Sequence, residues 1–483
     1  MILNESKLLD QKRPELITQM ELGTLFFARC SELYLTENGM ISFILPRSVF
    51  VSDQHRNFRD GNYNPKMKFT EILDLEDVDP LFRVPSCVIF AKKGTNKYPV
   101  DGLVLEGRLP HKNAKLDEAL KALNQKKEKF TQYEIGNRSF IEDQEFEEVL
   151  KLAEKGKRSY YYENFTQGAT IVPRQFWFVD ILPHPSFGID PTKPELRTSK
   201  RATDRAKKEY EDTVVEGEVE SGFLYFVATG SELAPFCTTT LPIAILPIEP
   251  HNGKYRIIHS EEARQRGYYG LYDWLVKVEN IWNKKRGEKA GSMDVYEWLD
   301  YQRKLSSQSS SSKYRVLYNT SGTYLVSCVI ENKTSIVKVD SSSIKVSGVV
   351  ADAKVYRYDT DDLNEALFIS AMLNAPIVDS LIKPMQSRGQ FGARDIHKKV
   401  LELPLPKFNP NNNQHRELVN LARKANEKAT KIVRELEMKY SGTGKIRQLI
   451  KEEIREEISQ INRIVRNIII DENKRSYGLD SLL

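Results

Sequence analysis

The sequence predicts an α/β unit at its amino-terminal end, followed by a larger α+β region and by long helices. A helical pattern, a short apolar run and two strand patterns occupy residues 20–93. Alternating strand patterns recur from Lys313 to Asp359, and apolar residues at helical spacing run from His415 to Ile470. A chain of 483 residues is long enough for two or three domains.

The first unit is defined by four segments. From Met20 to Leu35 apolar residues recur at three- and four-residue steps, which predicts an amphipathic helix. The apolar run Met40 to Leu45, closed by Pro46, is typical of a strand buried on both faces of a parallel sheet. Lys68 to Leu75 and Val84 to Lys93 have strand patterns. The gap between these two is too short for a crossover helix, so we expect an antiparallel pair at the edge of an otherwise parallel sheet.

The residues of this unit resemble a known family. The string LGTLFFARCSELYLTENGMISFILPRSVF, followed by NFR and LFRVPSCVIFAKKG, is similar to the region downstream of the catalytic motif in N6-adenine DNA methyltransferases of restriction-modification type. The resemblance implies that residues 1–100 form the C-terminal half of a class I, Rossmann-like methyltransferase sheet. It also implies that Phe82 is the candidate for the aromatic residue that stacks on the flipped adenine. A core residue at a strand start is the alternative interpretation of Phe82.

Two elements of that family are missing from the sequence. The exocyclic N6 of adenine is a poor nucleophile, so an Asn/Asp-Pro-Pro-aromatic motif must accept its hydrogens and hold the base. The chain has no Pro-Pro pair, and neither Asn64-Pro65 nor Asn409-Pro410 continues into this motif. No Gly-rich cofactor loop precedes the first helix. We therefore expect a truncated start and no catalytic residue in this chain. We also expect that S-adenosylmethionine binds only when a companion polypeptide supplies the missing N-terminal half.

Composition narrows the class of protein. The net charge of +5, with 40% hydrophobic and 29% charged residues, is ordinary for a soluble protein and compatible with nucleic acid. The four cysteines are far apart without CxxC spacing, so neither a disulfide framework nor a metal site is expected. No signal-peptide pattern and no apolar run near 18 residues occurs, so we expect a cytoplasmic protein without a membrane partner.

Residues 101–159 are predicted to form a charged helical linker, and residues 160–410 a DNA target-recognition domain. The lysines of the linker fit either a solvated helix face or a track for DNA. Aromatic residues beside Arg174 and Gln175 predict either DNA contact or the core of a new domain. The segment Leu196 to Glu211, which includes Lys200 and Arg201, has more basic than acidic residues, and it fits either phosphate contact or an exposed helix.

A second resemblance lies near the end of this region. The string LNEALFISAMLNAPIVDSLIKPMQSRGQFGARDIHKKVLELPLPKF is similar to the end of target-recognition domains in type I specificity subunits and in fused restriction-methylation enzymes. Glycines allow close approach of the backbone to DNA, and Gln and Arg side chains suit base-edge or phosphate hydrogen bonds. The predicted DNA-binding residues of this loop are Gln386, Arg388, Gly389, Gln390, Gly392 and Arg394.

The remaining residues, 411–483, predict a C-terminal helical hairpin packed on the recognition domain, or alternatively a partner-binding coiled coil. SGTGK at Ser441 to Lys445 lacks the spacing of a phosphate loop and predicts a turn between helices.

Three functions fit these patterns. The first is the C-terminal part, or a split subunit, of a site-specific adenine-N6 DNA methyltransferase that binds double-stranded DNA. The second is a non-catalytic DNA-binding specificity protein of a restriction-modification system. The third is a protein-interaction scaffold whose helices contact other proteins and which does not bind DNA.

Overall fold

The computed structural model describes residues 5–9, 16, 21–82, 84–111, 113–142, 150, 153, 158–183, 188–204, 208–386, 388–389 and 392–480. Its helices are α1 Leu22–Tyr34, α2 Arg56–Arg59, α3 Leu116–Ala122, α4 Arg174–Trp177, α5 Lys200–Thr203, α6 Ser260–Gln265, α7 Tyr269–Lys285, α8 Val295–Leu299, α9 Leu363–Asn374, α10 Pro376–Ile382, α11 Asn413–Lys439, α12 Thr443–Glu453 and α13 Arg455–Asp480.

The strands of the first half are β1 Met40–Pro46, β2 Met67–Asp79, β3 Ser86–Lys93, β4 Val100–Arg108, β5 Leu123–Ile135, β6 Arg138–Glu142, β7 Thr166–Gln167, β8 Phe178–Ile181, β9 Glu195–Thr198, β10 Glu216–Glu218, β11 Leu224–Ala228 and β12 Leu233–Ala234. Those of the second half are β13 Cys237–Thr238, β14 Ile243–Ile245, β15 Ile248–His251, β16 Lys254–Ile257, β17 Tyr314–Asn319, β18 Ser327–Glu331, β19 Ser335–Val339, β20 Ser342–Val346, β21 Val349–Ala351, β22 Val355–Thr360, β23 Arg388–Gly389 and β24 Gly392–Ala393.

The first sheet has six strands in the order β1-β3-β2-β4-β5-β6. β3 pairs antiparallel with both β1 and β2, so β1 and β2 run parallel to each other with β3 inserted between them. The predicted helix, the three predicted strands and the antiparallel pairing of β2 with β3 are confirmed. The prediction that this pair lies at the edge of an otherwise parallel sheet is wrong, because β4 extends the sheet by pairing in parallel with β2, and the other four neighbouring pairs of the described sheet are antiparallel.

Strand β1 is not buried on both faces, and that prediction is wrong. β1 is an edge strand with one antiparallel neighbour among the described residues. Phe43 and Leu45 point towards α1, where Phe43 packs edge-on against Phe27. Met40 and Ile44 point to the other face and are exposed, because no described helix covers that face at β1.

The helical linker predicted for residues 101–159 is also wrong over its described part. It contains only one seven-residue helix, α3, between the long strands β4 and β5. The charged residues of β5 suggested a solvated helix, but most of them lie on the exposed part of a strand whose other residues, such as Phe130 and Ile135, enter the core. Pairing with β4 and β6 therefore overrides the local helical pattern.

Two more sheets form the middle of the chain. One has the order β10-β9-β8-β14-β11-β21, and it packs against α7 through Trp274 and Leu275. The other has the order β18-β17-β22-β7, and α9 covers it. The β-rich character predicted for Lys313 to Asp359 is confirmed.

The C-terminal helices pack on the rest of the protein. Asn426 of α11 donates to the carbonyl of Phe236 at 2.6 Å, and Arg447 of α12 donates to the carbonyl of Leu233 at 2.7 Å. Ser441 and Gly442 of SGTGK lie in the turn between α11 and α12, as predicted, and Thr443 to Lys445 begin α12. One hydrophobic cluster joins Phe27 of α1, which packs on the first sheet, to Ile461 of α13, so these helices complete the same core.

Candidate nucleic-acid interface

The carboxyl end of β1 is the first candidate region. Pro46 lies opposite Ser86 in the register of β1 and β3, and the backbone N–H of Arg47 donates to the carbonyl of Pro85 at 2.8 Å. The loop between β2 and β3 is thereby held at this end of β1. Its apolar residues Phe82 and Val84 are 46% and 53% exposed. Ligands of α/β sheets bind at the carboxyl ends of the parallel strands, which is where this loop lies.

A buried ion cluster fixes the same end of the sheet. The Arg47 guanidinium lies 2.8 Å from Asp74, 3.0 Å from Glu76 and 3.0 Å from Glu142. Burial alone would lower the pKa of Arg47, but the nearby carboxylates raise this pKa well above its ordinary value. The cluster ties the turn after β1 to β2 and β6, so the position of the exposed loop is set by buried charges.

The second region is a cavity of about 400 Å³ in the middle sheet. It brings together Arg174 and Arg201, which the sequence analysis had selected from separate segments. The Arg201 guanidinium is 2.8 Å from Oγ of Ser231 and 2.5 Å from Oε1 of Glu232. The Arg174 guanidinium lies 5.1 Å above the ring of Phe178.

The other two residues selected there do not line this cavity. Gln175 is buried, and its amide donates to the carbonyl of Ala202 at 3.0 Å, so its side chain holds α4 against α5. Lys200 is exposed at the first position of α5, and its backbone N–H donates to Asp180 at 3.0 Å.

The third region is the loop around residues 386–394. Arg388, Gly389 and Gly392 belong to the small hairpin β23-β24, while Gln390 lies outside the described residues. Arg394 is exposed, and its carbonyl accepts a hydrogen bond from Gly322 at 2.9 Å. Gln386 is buried, and neither polar atom of its amide has a hydrogen-bond partner in the part of the chain that the structure describes.

Beside this hairpin lies a group that sequence reasoning missed. Tyr324 is 56% exposed, and Nζ of Lys383 and Nζ of Lys451 lie 5.0 Å and 4.5 Å from its ring centroid. Burial lowers the pKa of Lys451. The three residues come from distant parts of the chain, so no local pattern marks them. An exposed aromatic ring with two ammonium groups close to it is the combination of groups that single-stranded nucleic acids contact through bases and phosphates.

The described residues contain no group of His, Cys, Asp and Glu that could hold a metal ion. Among them no single helix is long and apolar enough to cross a membrane. The bent helix pair Leu363–Asn374 and Pro376–Met385 together has the length and apolar composition of a membrane span, but only by these two criteria.

No protein-family model and no curated protein sequence matches the chain. Three solved structures that are similar to it are restriction-modification enzymes. The Type IIL enzyme MmeI in complex with DNA is 10% identical with a TM-score of 0.47, over 95% of this chain and 52% of that chain. The type IIG restriction endonuclease BpuSI is 12% identical with a TM-score of 0.27, over 92% and 49%. The nuclease-deletion mutant of the Type ISP enzyme LlaGI, in complex with a DNA substrate mimic, is 11% identical with a TM-score of 0.37, over 88% and 38%. The chain thus spans about half of the first two proteins and less of the third.

Proposed function

We propose that this chain is the C-terminal part of a site-specific adenine-N6 DNA methyltransferase of restriction-modification type, and that it supplies the end of the methyltransferase sheet and the recognition of DNA. The observation that carries the proposal is the order β1-β3-β2, in which an antiparallel strand is inserted between two strands parallel to each other. The class I methyltransferase sheet ends in this way, and the residues that resemble that family are the ones that form these strands.

The free edge of β1 supports the proposal that this chain forms only half of the methyltransferase sheet. Among the described residues β1 has no partner on its outer edge. Exposed apolar side chains also run along α1, at Leu22, Phe26 and Leu33. An unpaired edge next to apolar surface is a site for strand addition and association. We infer that a parallel strand with its helix, from a companion polypeptide or from a longer chain, covers this surface.

Phe82 is the candidate for stacking on the flipped adenine. Its exposure favours this role over that of a core residue, and its loop lies at the carboxyl end of β1. The other half would supply the groups that accept the N6 hydrogens, because the sequence lacks the Asn-Pro-Pro-aromatic motif.

The residues at this end of β1 do not fit S-adenosylmethionine. The strand ends at Pro46 and is followed by the buried Arg47 rather than by glycines that would let a ligand approach the backbone. The cofactor therefore has to be held by the other half of the sheet.

Duplex DNA would be bound by the Arg174 and Arg201 cavity and by the hairpin that carries Arg388, together with Arg394. The test is equilibrium binding of the 483-residue chain to an unmethylated duplex over a range of salt concentrations. We expect a steep salt dependence, and the slope should fall by about one for each phosphate contact removed by Arg388→Ala or Arg394→Ala. Arg264→Ala is the matched control, because this exposed arginine pairs with Glu261 on α6. Absence of duplex binding would favour the interaction scaffold.

The missing catalytic motif favours one other function, a non-catalytic specificity protein of a restriction-modification system. It would bind duplex DNA in the same way but would transfer no methyl group with any partner.

A further inference from the structure

The turn of residues 321–324, between β17 and β18, is fixed beside the hairpin β23-β24. The side-chain amide of Asn319 donates to the carbonyl of Tyr324 at 3.0 Å. The backbone N–H of Gly322 donates to the carbonyl of Arg394, just after the hairpin, at 2.9 Å. Gly322 has a φ of +147°, which favours glycine. These contacts set the position of Tyr324 while its ring stays exposed.

Two lysines from different helical segments reach this ring. Lys383 follows α10, and its Nζ lies 5.0 Å from the ring centroid of Tyr324. Lys451 belongs to α12, and its Nζ lies 4.5 Å from the same centroid. Lys383 also donates to the carbonyl of Thr323 and lies 3.4 Å from Asp379. An aromatic ring attracts an ammonium group without cancelling its charge, so the ring holds two cations that remain charged.

The ammonium group of Lys451 is available to a ligand. Within the described residues Lys451 forms neither an ion pair nor a hydrogen bond, and its contact is with the ring of Tyr324. Burial lowers the pKa of Lys451, because the half-buried ammonium group has lost part of its water. An anion that reaches this group therefore replaces lost water and displaces no bonded carboxylate.

Positive charge exceeds negative charge around Lys451. The groups that act on its charge are two cations and one carboxylate, those of Lys383, Arg447 and Asp379. With Lys451 itself, three cations stand against one carboxylate, which is a surplus of two positive charges. Glu232 acts on Arg447 but is paired with Arg201, so counting that pair leaves the surplus unchanged. Such a surplus favours an anion, and a phosphate is the anion that DNA presents.

We infer that Lys451 binds a phosphate of the DNA backbone, with Lys383 adding positive charge and the ring of Tyr324 holding both ammonium groups; this rests on the proposed binding of duplex DNA. A phosphate contact sets the position of the duplex without reading its sequence. The turn that carries Tyr324 is bonded to the segment of Arg394, so the contact extends the surface already proposed for that hairpin. Helix α12 is thereby part of the DNA interface and does not serve packing alone.

The test is equilibrium binding of the full 483-residue chain to an unmethylated duplex from about 50 to about 200 mM salt. Each phosphate contact contributes about 0.9 to the slope of log K against log salt, which is roughly a 3- to 4-fold change in affinity over this range. We therefore expect Lys451→Gln to lose roughly 3- to 4-fold less affinity across the range than the wild type. Lys451→Arg, which keeps the positive charge, should behave as the wild type.

Lys333→Gln is the matched control, because it removes the same charge from an exposed lysine that pairs with Glu331. It should leave the salt slope unchanged. A second measurement uses the wild-type chain: duplex DNA should protect Lys451 from acylation by an amine-reactive ester, whereas Lys333 should stay reactive. Circular dichroism establishes that each variant is folded.

A salt slope in Lys451→Gln equal to that of the wild type, or lowered as much by Lys333→Gln, would overturn the inference while leaving DNA binding in place. Acylation of Lys451 that duplex DNA does not slow would do the same. Binding weakened by Tyr324→Leu but not by Lys451→Gln would mean that the site contacts a base instead of a phosphate. Wild-type chain that binds no duplex would remove the proposed function as well.

Discussion

Pro46, the last residue of β1, lies opposite Ser86, the first residue of β3, and this register places the loop that carries Phe82 at the carboxyl end of β1. The loop is held by the bond from Arg47 to Pro85, while the ring of Phe82 remains half exposed. An exposed aromatic ring held at this position can contact a base without any rearrangement of the hydrophobic core.

Replacement of Phe82 tests this role. We combine this chain with the missing half of the proposed methyltransferase. For this pair we expect Phe82→Ala to weaken the binding of an extrahelical adenine by about 1–3 kcal/mol, because the stacking of one base is lost. Fluorescence of 2-aminopurine at the target position measures the effect. Phe82→Trp, which keeps a ring, should retain binding. The free energy of unfolding should change by less than about 0.5 kcal/mol, and a much larger loss would show that Phe82 is a core residue.

The uncovered face of β1 predicts association of the chain when it is alone. Ile44 and Ile336 are both 59% exposed on strands, but only Ile44 lies on β1, the strand whose free edge we propose pairs with the missing half of the sheet. We expect Ile44→Lys to reduce light scattering at high protein concentration and to block assembly with the other half of the sheet. Ile336→Lys should do neither. Equal effects of the two substitutions would mean that the surface around β1 has no special role.

A buried carboxylate connects the first sheet to the segment before α11. Glu402 is 2% exposed and accepts hydrogen bonds from Arg158 at 2.7 Å and from the backbone N–H of Asn137 at 3.0 Å. Glu402→Gln should lower the free energy of unfolding by about 1–3 kcal/mol, because one of these donors loses its charged acceptor. Urea denaturation measures the change. Glu134→Gln, which breaks an exposed pair with Arg56, is the control and should cost at most about 1 kcal/mol.

Stability should rise with pH in the alkaline range through Lys399. Burial, and secondly the charge of Arg138, lower the pKa of Lys399 from 10.5 to about 8. Between these values the unfolded chain binds more protons than the folded protein, so the free energy of unfolding rises with pH, by about 3 kcal/mol at most. Below pH 8 this contribution is absent, because both states are protonated.

Urea denaturation from pH 7 to 10 checks this dependence. Lys399→Met should flatten the rise, whereas Lys345→Met, at an exposed position of β20, should leave it in place. An unchanged rise in Lys399→Met would assign the effect to another group.

Local sequence patterns were sufficient to predict the helices and strands whose apolar residues recur at a regular spacing. The α1 helix, the three strands that follow it and the long helix α11 lie where the sequence predicts them. The antiparallel pairing of β2 with β3 followed from the short connection alone. The strands β4 and β5 were missed, because their charged residues hide the alternation and their pairing decides their structure.

The pairing of strands that are far apart in the chain left no local signal in the sequence. β7 joins β22 almost 200 residues later in the chain, and β11 pairs in parallel with β21. For the same reason the sequence could select Arg174 and Arg201 by residue type but could not indicate Glu232 and Asp352, which reach them from separate turns. The burial of Gln175 also required the tertiary structure, since its neighbours Arg174 and Phe176 gave no hint of which side chain points inward.

The most direct test of the central claim is transfer of a labelled methyl group from S-adenosylmethionine to adenine in unmethylated duplex DNA. The chain is assayed alone and then with a polypeptide that carries the N-terminal half of the methyltransferase sheet. We predict no transfer by the chain alone and transfer when the two are combined, lost again in Ile44→Lys. Transfer by the chain alone would contradict the account, because the groups that hold the cofactor and accept the N6 hydrogens would then lie within these 483 residues.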